Sequence, residues 1–282
     1  MAKRRTSILV IGGGGFIGKR LAERLIRSGD RVTVTTRAMG DLTDARFCRR
    51  IAKNADVIYY LAAAKKNIAH HTAEPYDFVR GNVLPLLTFL DALRDKKPGT
   101  LVYVSSVLVA YALNDAETVD GYLLGKLACE FALRAFAKQT GWTVSIVRSA
   151  AVYGPGDSLD SRVANFIPAI IQRIKKSEGQ LLIWGHGRRK LQFIYVDDLV
   201  ENLAAIGRLR TGGMFTIGNP EIMSVNQIAR LIATLMGRKL ALRHDLSKAD
   251  KKTRLSRFQN IRQPLVPLKE GLKRTITDSF GE

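Results

Sequence analysis

Short apolar runs alternate with amphipathic stretches through the first two thirds of the chain. The runs have the length of buried strands and lie at Ile8–Ile11, Val32–Thr35, Val57–Leu61, Leu101–Val104 and Val144–Val147. Helical patterns cover residues 17–28, 82–95 and 122–138 between them. Strands that alternate with helices in this way pair in parallel and are covered on both faces. The pattern therefore predicts an α/β fold with a doubly wound parallel sheet.

The rhythm changes after Gly154-Pro155-Gly156, where a helical stretch precedes a strand at Leu181–Trp184. We expect a Rossmann-like, NAD(P)-binding domain and a smaller C-terminal α/β lobe that binds the substrate. The predicted bounds are 1–154 with 188–210 for the first domain, and 155–187 with 211–282 for the second. The chain contains no internal repeat and no low-complexity linker.

A glycine-rich turn follows the first strand directly and opens the first helix. Gly12, Gly15 and Gly18 occupy its first, fourth and seventh positions. The first glycine permits a tight turn, the second lets a pyrophosphate approach the backbone, and the third allows close contact between helix and strand. The helix N-terminus adds amide donors, here those of Phe16 and Ile17, and the positive end of a dipole. This context predicts a dinucleotide site.

The second strand ends in Thr35-Thr36-Arg37, where an NAD site usually carries an acidic residue. An arginine at this point can pair with the 2′-phosphate of NADP, so we expect NADP(H) to be preferred and NAD(H) to be possible. The alternative is that Arg37 is only a solvated charge at the end of a strand. Asp41 and Leu42 follow closely and are expected to border the adenine.

Candidate catalytic groups follow in the middle of the chain. Tyr122 and Lys126 are four residues apart and so share one face of a predicted helix. Ser105-Ser106 ends the strand at 101–104, at the edge where ligands of parallel sheets bind. We expect Lys126 and an oxidised nicotinamide to favour the phenolate of Tyr122, which exchanges a proton with a carbonyl or carbinol oxygen that Ser106 holds.

Composition narrows the class of protein without choosing the partner. The 282 residues carry 45 lysines and arginines against 25 acids, a net charge of +20. Such a charge favours polyanions, so a dinucleotide-sensing or nucleic-acid-binding protein without catalysis is an alternative, although we regard nucleic acid as the less probable partner. Cys48 and Cys129 are the two cysteines, and both lie in helical patterns. We therefore expect a reduced cytoplasmic protein with no disulfide. We also expect no metal site and no membrane segment.

Motifs spread along the chain resemble those of the extended short-chain dehydrogenase/reductases, also called the NAD-dependent epimerase/dehydratase family. The resemblance rests on residues 12–18, 56–63, Asn82, Ser106, Tyr122, Lys126, Glu130, 148–156, 193–198 and 217–220. It implies hydride transfer on nucleotide-diphosphate sugars. It also implies catalysis by Ser106, Tyr122 and Lys126, and cofactor contacts at Leu61, Ala62, Ala63, Asn82, Ser105, Tyr122, Lys126 and Val152.

Two stretches, 61–82 and 167–187, are distantly similar to GDP-fucose synthases within that family. The cysteine and histidine that epimerise the sugar there correspond to Leu108 and Asn165, which cannot shuttle a proton. Reduction of a 4-keto sugar is therefore expected, with epimerisation or reduction of a non-sugar ketone as alternatives.

The substrate side departs from the family pattern. The resemblance implies substrate contacts at Asn165, Arg173 and Trp184, yet Leu191 replaces an arginine that often meets the nucleotide diphosphate. Arg173, Arg188, Arg189 and Lys190 either compensate for this loss or form a solvated basic rim. Trp184 either stacks on a base or sugar or, as the simpler reading, packs in the core or a domain interface.

Two further expectations concern helices. Asp197-Asp198 looks like a pair of catalytic acids, but its place at a helix start favours capping. The resemblance implies a homodimer through the helices near Asn82 and Tyr122. Leu86, Leu87, Leu90, Leu127 and Phe131 would either form its apolar seam or face the sheet.

Overall fold

The computed structural model describes residues 5–64, 72–112, 120–160, 164–249 and 252–280. At its centre lies a six-stranded sheet made of β1 (Ser7–Ile11), β2 (Arg31–Thr35), β3 (Val57–Tyr60), β4 (Thr100–Ser106), β5 (Thr143–Ser149) and β10 (Gly213–Ile217). The strands are parallel in the order β10-β5-β4-β3-β1-β2. The strand order reverses at β1 and β3, which creates the crevice where doubly wound sheets bind ligands. The predicted fold class is confirmed.

Helices cover both faces of the sheet. The helices α1 (Phe16–Arg27) and α7 (Val196–Leu209) lie on one face, and α2 (Ala45–Ile51), α3 (Pro75–Asp91) and α5 (Gly121–Thr140) lie on the other. A short helix, α4 (Val109–Ala112), follows β4. None of these helices, nor any other helix in the described ranges, is long and apolar enough to cross a membrane.

The alternation of side chains along each strand divides the core into two layers. On β1, Val10 packs with Leu21, Leu25, Leu199 and Leu203 of α1 and α7. Leu9 and Ile11 point the other way, into a layer with Phe89 of α3, Leu133 of α5 and the tyrosines Tyr60 and Tyr103. Residues Ile8–Ile11 of β1 and Val57–Tyr60 of β3 are all apolar because both faces of these strands are buried.

The second lobe is built from α6 (Phe166–Lys176), α8 (Val225–Leu235) and α9 (Leu268–Phe280) around short strand pairs. The pairs join β6 (Ala151–Tyr153) with β9 (Phe193–Tyr195), β7 (Gln180–Trp184) with β12 (Ala241–Asp245), and β8 (Lys190–Leu191) with β11 (Met223–Ser224). Apolar residues of all three helices, including Ile170, Ile228 and Leu272, form its core.

The structure corrects one predicted boundary and one predicted role. Strand β10 lies in residues 211–282, assigned above to the substrate lobe, but it pairs with β5 and belongs to the central sheet. Asp197 and Asp198 lie in the first turn of α7, as predicted, yet neither is the N-cap residue, which is Tyr195. Asp197 instead pairs with Arg20, and Asp198 accepts the amide of Val266. Their carboxylates thus tie α7 to other segments.

Candidate active site

The glycine turn between β1 and α1 is packed too tightly to accept side chains at three positions. Gly12 has φ +78°, and a Cβ there would lie 2.8 Å from the nitrogen of Ala62. A Cβ on Gly18 would lie 2.3 Å from the carbonyl oxygen of Gly12, and one on Gly13 would overlap Val34 of β2. The roles predicted for Gly12 and Gly18 therefore have a direct steric cause, whereas the need for Gly13 was not predicted.

Gly15 has a different environment, because a Cβ there would meet protein only at Gly12, 3.3 Å away. It is exposed and is the N-cap of α1, where no side chain caps the helix. The first helical bond runs from the amide of Lys19 to the carbonyl of Gly15, so the amides of Phe16, Ile17 and Gly18 precede the helical ladder. The first turn carries no acid. These residues fit the pyrophosphate of a dinucleotide.

The end of β2 lies beside this turn. A Cβ on Gly14 would lie 3.0 Å from the Thr36 side chain, and the amide of Gly13 donates to the carbonyl of Thr35. Arg37 begins the short 3-10 helix that follows and is exposed. Arg37 follows Thr36 directly and is therefore near the predicted dinucleotide site. Asp41 accepts the amide of Thr43, which lowers the pKa of the Asp41 carboxyl.

Leu42 is half-buried, packs against the core, and its carbonyl accepts from the Cys48 thiol. Its contact with the adenine stays a prediction.

The chain that leaves β3 forms the other wall of the crevice. Leu61 donates its amide to Ile11, and Ala62 lies against Gly12. Asn82 of α3 is buried and bonds to this wall, accepting the amide of Ala64 at 3.2 Å and donating to its carbonyl at 3.4 Å. The side chain of Asn82 thus shapes the wall formed by Leu61, Ala62 and Ala63; its own contact with a cofactor stays a prediction.

Lys126 joins helix α5 to strand β4. Its side chain is 3% exposed, and its Nζ donates to the carbonyl of Val104 at 2.8 Å. The same nitrogen lies 4.6 Å from the ring centre of Tyr103 and 6.0 Å from that of Tyr122. The predicted proximity of the phenol and the ammonium is therefore present in the structure.

Burial shifts both groups toward their neutral forms. The pKa of Lys126 is lowered to about 8, chiefly by desolvation. Desolvation also raises the pKa of Tyr122 to about 12, and the negative charge of Asp120 adds to the rise. In the protein alone, burial and the charge of Asp120 both oppose ionisation of the Tyr122 phenol. The predicted preference for the phenolate depends on Lys126 together with an oxidised nicotinamide, and it stays a prediction.

The two serines at the end of β4 have different partners. Ser105 is buried and donates to Glu130 at 2.6 Å, and Arg148 donates to both oxygens of the same carboxylate, at 3.0 and 2.6 Å. Ser106 is half-buried and its hydroxyl accepts the amide of Leu108. Ser105 therefore anchors the strand through its side chain, while Ser106 lies at the strand end, where the candidate site opens.

The substrate residues predicted in the second lobe are spread over three elements. Asn165 precedes α6 and donates to Asp157 at 2.8 Å and to the carbonyl of Val152 at 3.5 Å. The guanidinium of Arg173 donates to the carbonyl of Leu182 on β7. Trp184 is 64% exposed, so the interpretation of this residue as core is wrong. Its ring is available to a ligand.

Two arginines of the second lobe approach helix α4. Arg189 and Arg254 are half-buried, and both burial and the nearby charge of Arg254 lower the pKa of Arg189. Arg254 stacks on Tyr111 at 5.3 Å, and the Tyr111 hydroxyl donates to the carbonyl of Leu255 at 2.5 Å. Tyr111 follows Ser106 by five residues, so Arg254 packs against the segment that leaves β4. Two like charges held together suit an anionic ligand.

Sequence reasoning missed three residues that build the site. Asp120 caps α5 by accepting the amides of Tyr122 and Leu123; the pair Asp120-Gly121 before a helical pattern is a usable signal for such a cap. Arg254 lies outside any motif, and Tyr103 reads as an ordinary residue of a buried strand. Their roles depend on contacts between distant segments.

The sequence model of the NAD dependent epimerase/dehydratase family matches residues 8–218. The chain belongs to this family. As a member that carries the glycine turn and the paired Tyr122 and Lys126, it is an NAD(P)-dependent enzyme with a Rossmann-like fold.

Three relatives illustrate its place in the family. The chain is 27% identical to a dTDP-4-dehydro-6-deoxy-D-allose reductase from Streptomyces bikiniensis, over 85% of this chain and 84% of that protein. A UDP-glucose 4-epimerase with UDP-glucose from Thermotoga maritima has TM-score 0.86 and 24% identity, over 98% and 99% of the two chains. A GDP-L-fucose synthetase from Naegleria fowleri bound to NADP has TM-score 0.79 and 20% identity, over 100% and 94%. The structural likeness extends over both lobes.

Proposed function

We propose that this enzyme reduces the 4-keto group of a nucleotide-diphosphate sugar with NADPH. The observation that carries the proposal is the arrangement beside β4, where the ammonium of Lys126 donates to the carbonyl of Val104, two residues before Ser106, and lies 6.0 Å from the ring centre of Tyr122. When bound, NADPH supplies a hydride to the carbonyl carbon. The Tyr122 hydroxyl donates its proton to the carbonyl oxygen, Ser106 holds that oxygen by a hydrogen bond, and Lys126 supplies a positive charge beside the phenol.

The protonation states suit the roles proposed for reduction. A phenol whose pKa is raised to about 12 keeps its proton available for an alkoxide that forms on the substrate. Lys126, with a pKa of about 8, still carries its charge at pH 7. Replacement of a cysteine and a histidine by Leu108 and Asn165 argues against double epimerisation, because neither side chain can move a proton.

Two features support a nucleotide diphosphate as the handle of the substrate. Arg189 offers a guanidinium group to phosphate oxygens, a role that Leu191 cannot fill, and the nearby charge of Arg254 adds to the positive potential there. Trp184 exposes an aromatic face that a nucleobase can stack on. The relative from Streptomyces bikiniensis is named for a dTDP-linked 4-keto sugar, which supports the same substrate class.

NADPH oxidation tests the reaction itself. Purified enzyme, mixed with 4-keto-6-deoxyhexoses linked to dTDP, UDP or GDP, is expected to consume one NADPH per alcohol formed with at least one of them. The variant Tyr122→Phe should abolish turnover and leave NADPH binding unchanged. Product formation without net NADPH consumption would indicate an epimerase instead, and full turnover by Tyr122→Phe would reject the proposed acid.

The arginine pair gives a separate test of the substrate class. Arg189→Ala should raise KM for the nucleotide sugar by about 10-fold or more, since charged hydrogen bonds contribute roughly 1.5–3 kcal/mol each. The dissociation constant for NADPH should not change. Arg188→Ala is the matched control, because Arg188 is the neighbouring residue and is exposed, whereas Arg189 is half-buried. Equal effects of the two substitutions would point to general surface charge and contradict the proposed contact.

A further inference from the structure

The ammonium of Lys126 lies against an aromatic ring that the reaction scheme above does not use. Tyr103 is 1% exposed, and the centre of its ring is 4.6 Å from Nζ of Lys126, closer than the 6.0 Å to the ring of Tyr122. The ammonium also donates a hydrogen bond to the carbonyl of Val104. A buried cation has therefore exchanged water for one carbonyl oxygen and two aromatic rings.

We propose that Tyr103 is a positioning residue whose aromatic face keeps Lys126 charged and directed toward Tyr122. The proposal rests on the proposed function for its consequence in catalysis, but the contact itself belongs to the protein alone. A cation over an aromatic ring is attracted by the negative face of the ring, and the attraction is strongest where water is excluded. Burial lowers the pKa of Lys126 to about 8, so any loss of this attraction brings the neutral amine closer to physiological pH.

Two ionisable groups of α5 also favour the charged form of Lys126, because the charges of Cys129 and Glu130 raise its pKa. Glu130 shares its carboxylate with Ser105 and Arg148, and burial raises the pKa of the Cys129 thiol. On β4, burial keeps Tyr103 itself protonated. From β5, Arg148 adds a positive charge that Glu130 neutralises.

The neighbouring strand and helix hold the ring in place. Tyr60 lies opposite Tyr103 in the register of β3 and β4, with ring centres 6.0 Å apart. The hydroxyl of Tyr103 interacts with the Cys129 thiol of α5, and that thiol in turn donates to the carbonyl of Asn82 on α3. Three elements thus fix the plane of the Tyr103 ring beneath the ammonium.

The test is a titration of lysine by NMR in protein labelled with ¹³C at the lysine Cε. One resonance is expected to titrate near pH 8, well below the reference value of lysine, and to disappear in Lys126→Met. Tyr103→Phe keeps the aromatic face and should leave this midpoint unchanged. Tyr103→Leu and the longer, unbranched Tyr103→Met remove the face and should lower the midpoint by about one pH unit.

Phe136→Leu is the matched control, because it removes a ring from the same buried layer at a place where that ring packs on Trp142. A midpoint that stays in place in both Tyr103→Leu and Tyr103→Met would overturn the proposal. An equal fall in Phe136→Leu or Tyr103→Phe would also overturn it, since packing or the hydroxyl would then be responsible. The titration needs neither cofactor nor substrate, so its outcome is independent of the proposed reaction.

The consequence for catalysis is measured separately. In the pH profile of kcat, loss of the Lys126 charge should produce an alkaline limb, and this limb should move to lower pH in Tyr103→Leu but not in Tyr103→Phe. A shifted NMR midpoint with an unshifted pH profile would contradict the catalytic part of the proposal and leave Lys126 as a structural cation.

Discussion

Lys126 shows how burial sets the charge of a single catalytic residue. Its pKa is about 8 in the folded protein and near 10.5 in an unfolded chain. Between these two values the unfolded chain binds more protons, so the contribution of this residue to stability rises as the pH rises. Below pH 8 the folded protein bears the full cost of a buried cation.

The rise of the Lys126 contribution with pH gives a prediction for the stability of the protein. Relative to Lys126→Met, the wild-type protein should gain roughly 1.4 kcal/mol of unfolding free energy per pH unit between pH 8 and 10. Denaturant unfolding of both proteins at several pH values measures the difference. Tyrosines and cysteines of the unfolded chain also titrate at the upper end of this range, but they are common to both proteins and cancel. A difference that does not vary with pH would contradict the assigned burial effect.

Arg37 carries the preference for NADP in this account. Arg37→Ala should weaken NADPH binding by about 10- to 100-fold, because a charged hydrogen bond to the 2′-phosphate is lost, and should leave NADH binding nearly unchanged. Fluorescence titration of the reduced cofactors measures both constants. Arg31→Ala is the control, since Arg31 is exposed at the opposite end of the same strand, β2. Equal weakening of NADPH and NADH would remove the proposed contact.

In the turn from β1 to α1, some glycines are required because a side chain would clash with the protein, and others because a side chain would block the ligand. In Gly18→Ala the new Cβ would lie 2.3 Å from the Gly12 carbonyl, so we expect a loss of roughly 1–3 kcal/mol of stability together with weak cofactor binding. In Gly15→Ala the new Cβ would lie 3.3 Å from the carbonyl oxygen of Gly12. That variant should keep its melting temperature within a few degrees and still bind NADPH at least 10-fold more weakly.

Thermal melting and cofactor titration of the two variants distinguish these effects. If Gly15→Ala binds NADPH as the wild type does, then the face of Gly15 is not where the pyrophosphate lies.

The elements that periodicity predicts well are those with both faces buried. The strands β1, β3, β4 and β5 were predicted within a few residues because both of their faces are apolar, and α1 and α5 because their apolar positions repeat at helical spacing. Strand β10 was missed: it is an edge strand that begins with Gly213 and is half exposed, so its sequence carries no apolar run. The lobe boundary was wrong for the same reason.

The residues of the candidate site also fall into two groups, those that the sequence reveals and those that it does not. Gly12, Gly18, Tyr122 and Lys126 were identified because local spacing reveals them. Arg254 and Tyr103 were not, because their roles arise where a distant segment folds against β4 and α4. Trp184 was misjudged as a core residue since its strand alternates, and the sequence alone does not say which face of β7 is buried.

For the whole molecule we propose a homodimer through the outer face of α3 and α5. Leu86 and Leu90 of the predicted seam lie in the core, but Leu87 is 42% exposed and Phe131 54% exposed, with Leu84 38% exposed on the same helix as Leu87. Exposed apolar residues on two helices that pack together favour an interface between protein chains.

Phe131→Asp should convert this dimer to a monomer at micromolar concentration, measured by sedimentation equilibrium. Ile26→Asp is the control, because Ile26 is 56% exposed on α1, on the opposite face of the sheet. A wild-type protein that sediments as a monomer, or an equal effect of both substitutions, would contradict this interface.

Transfer of deuterium from the cofactor to the sugar measures the proposed hydride transfer at the end of β4. NADPH that carries deuterium at carbon four of the nicotinamide, on either face in separate reactions, is mixed with a nucleotide-linked 4-keto sugar and the product is analysed by mass spectrometry and NMR. We expect NADPH that is labelled on one of the two faces to deliver one deuterium to carbon four of the sugar per NADPH consumed. Tyr122→Phe should bind this NADPH yet transfer no deuterium. Reduced product without deuterium from either cofactor, or undiminished transfer by Tyr122→Phe, would contradict it.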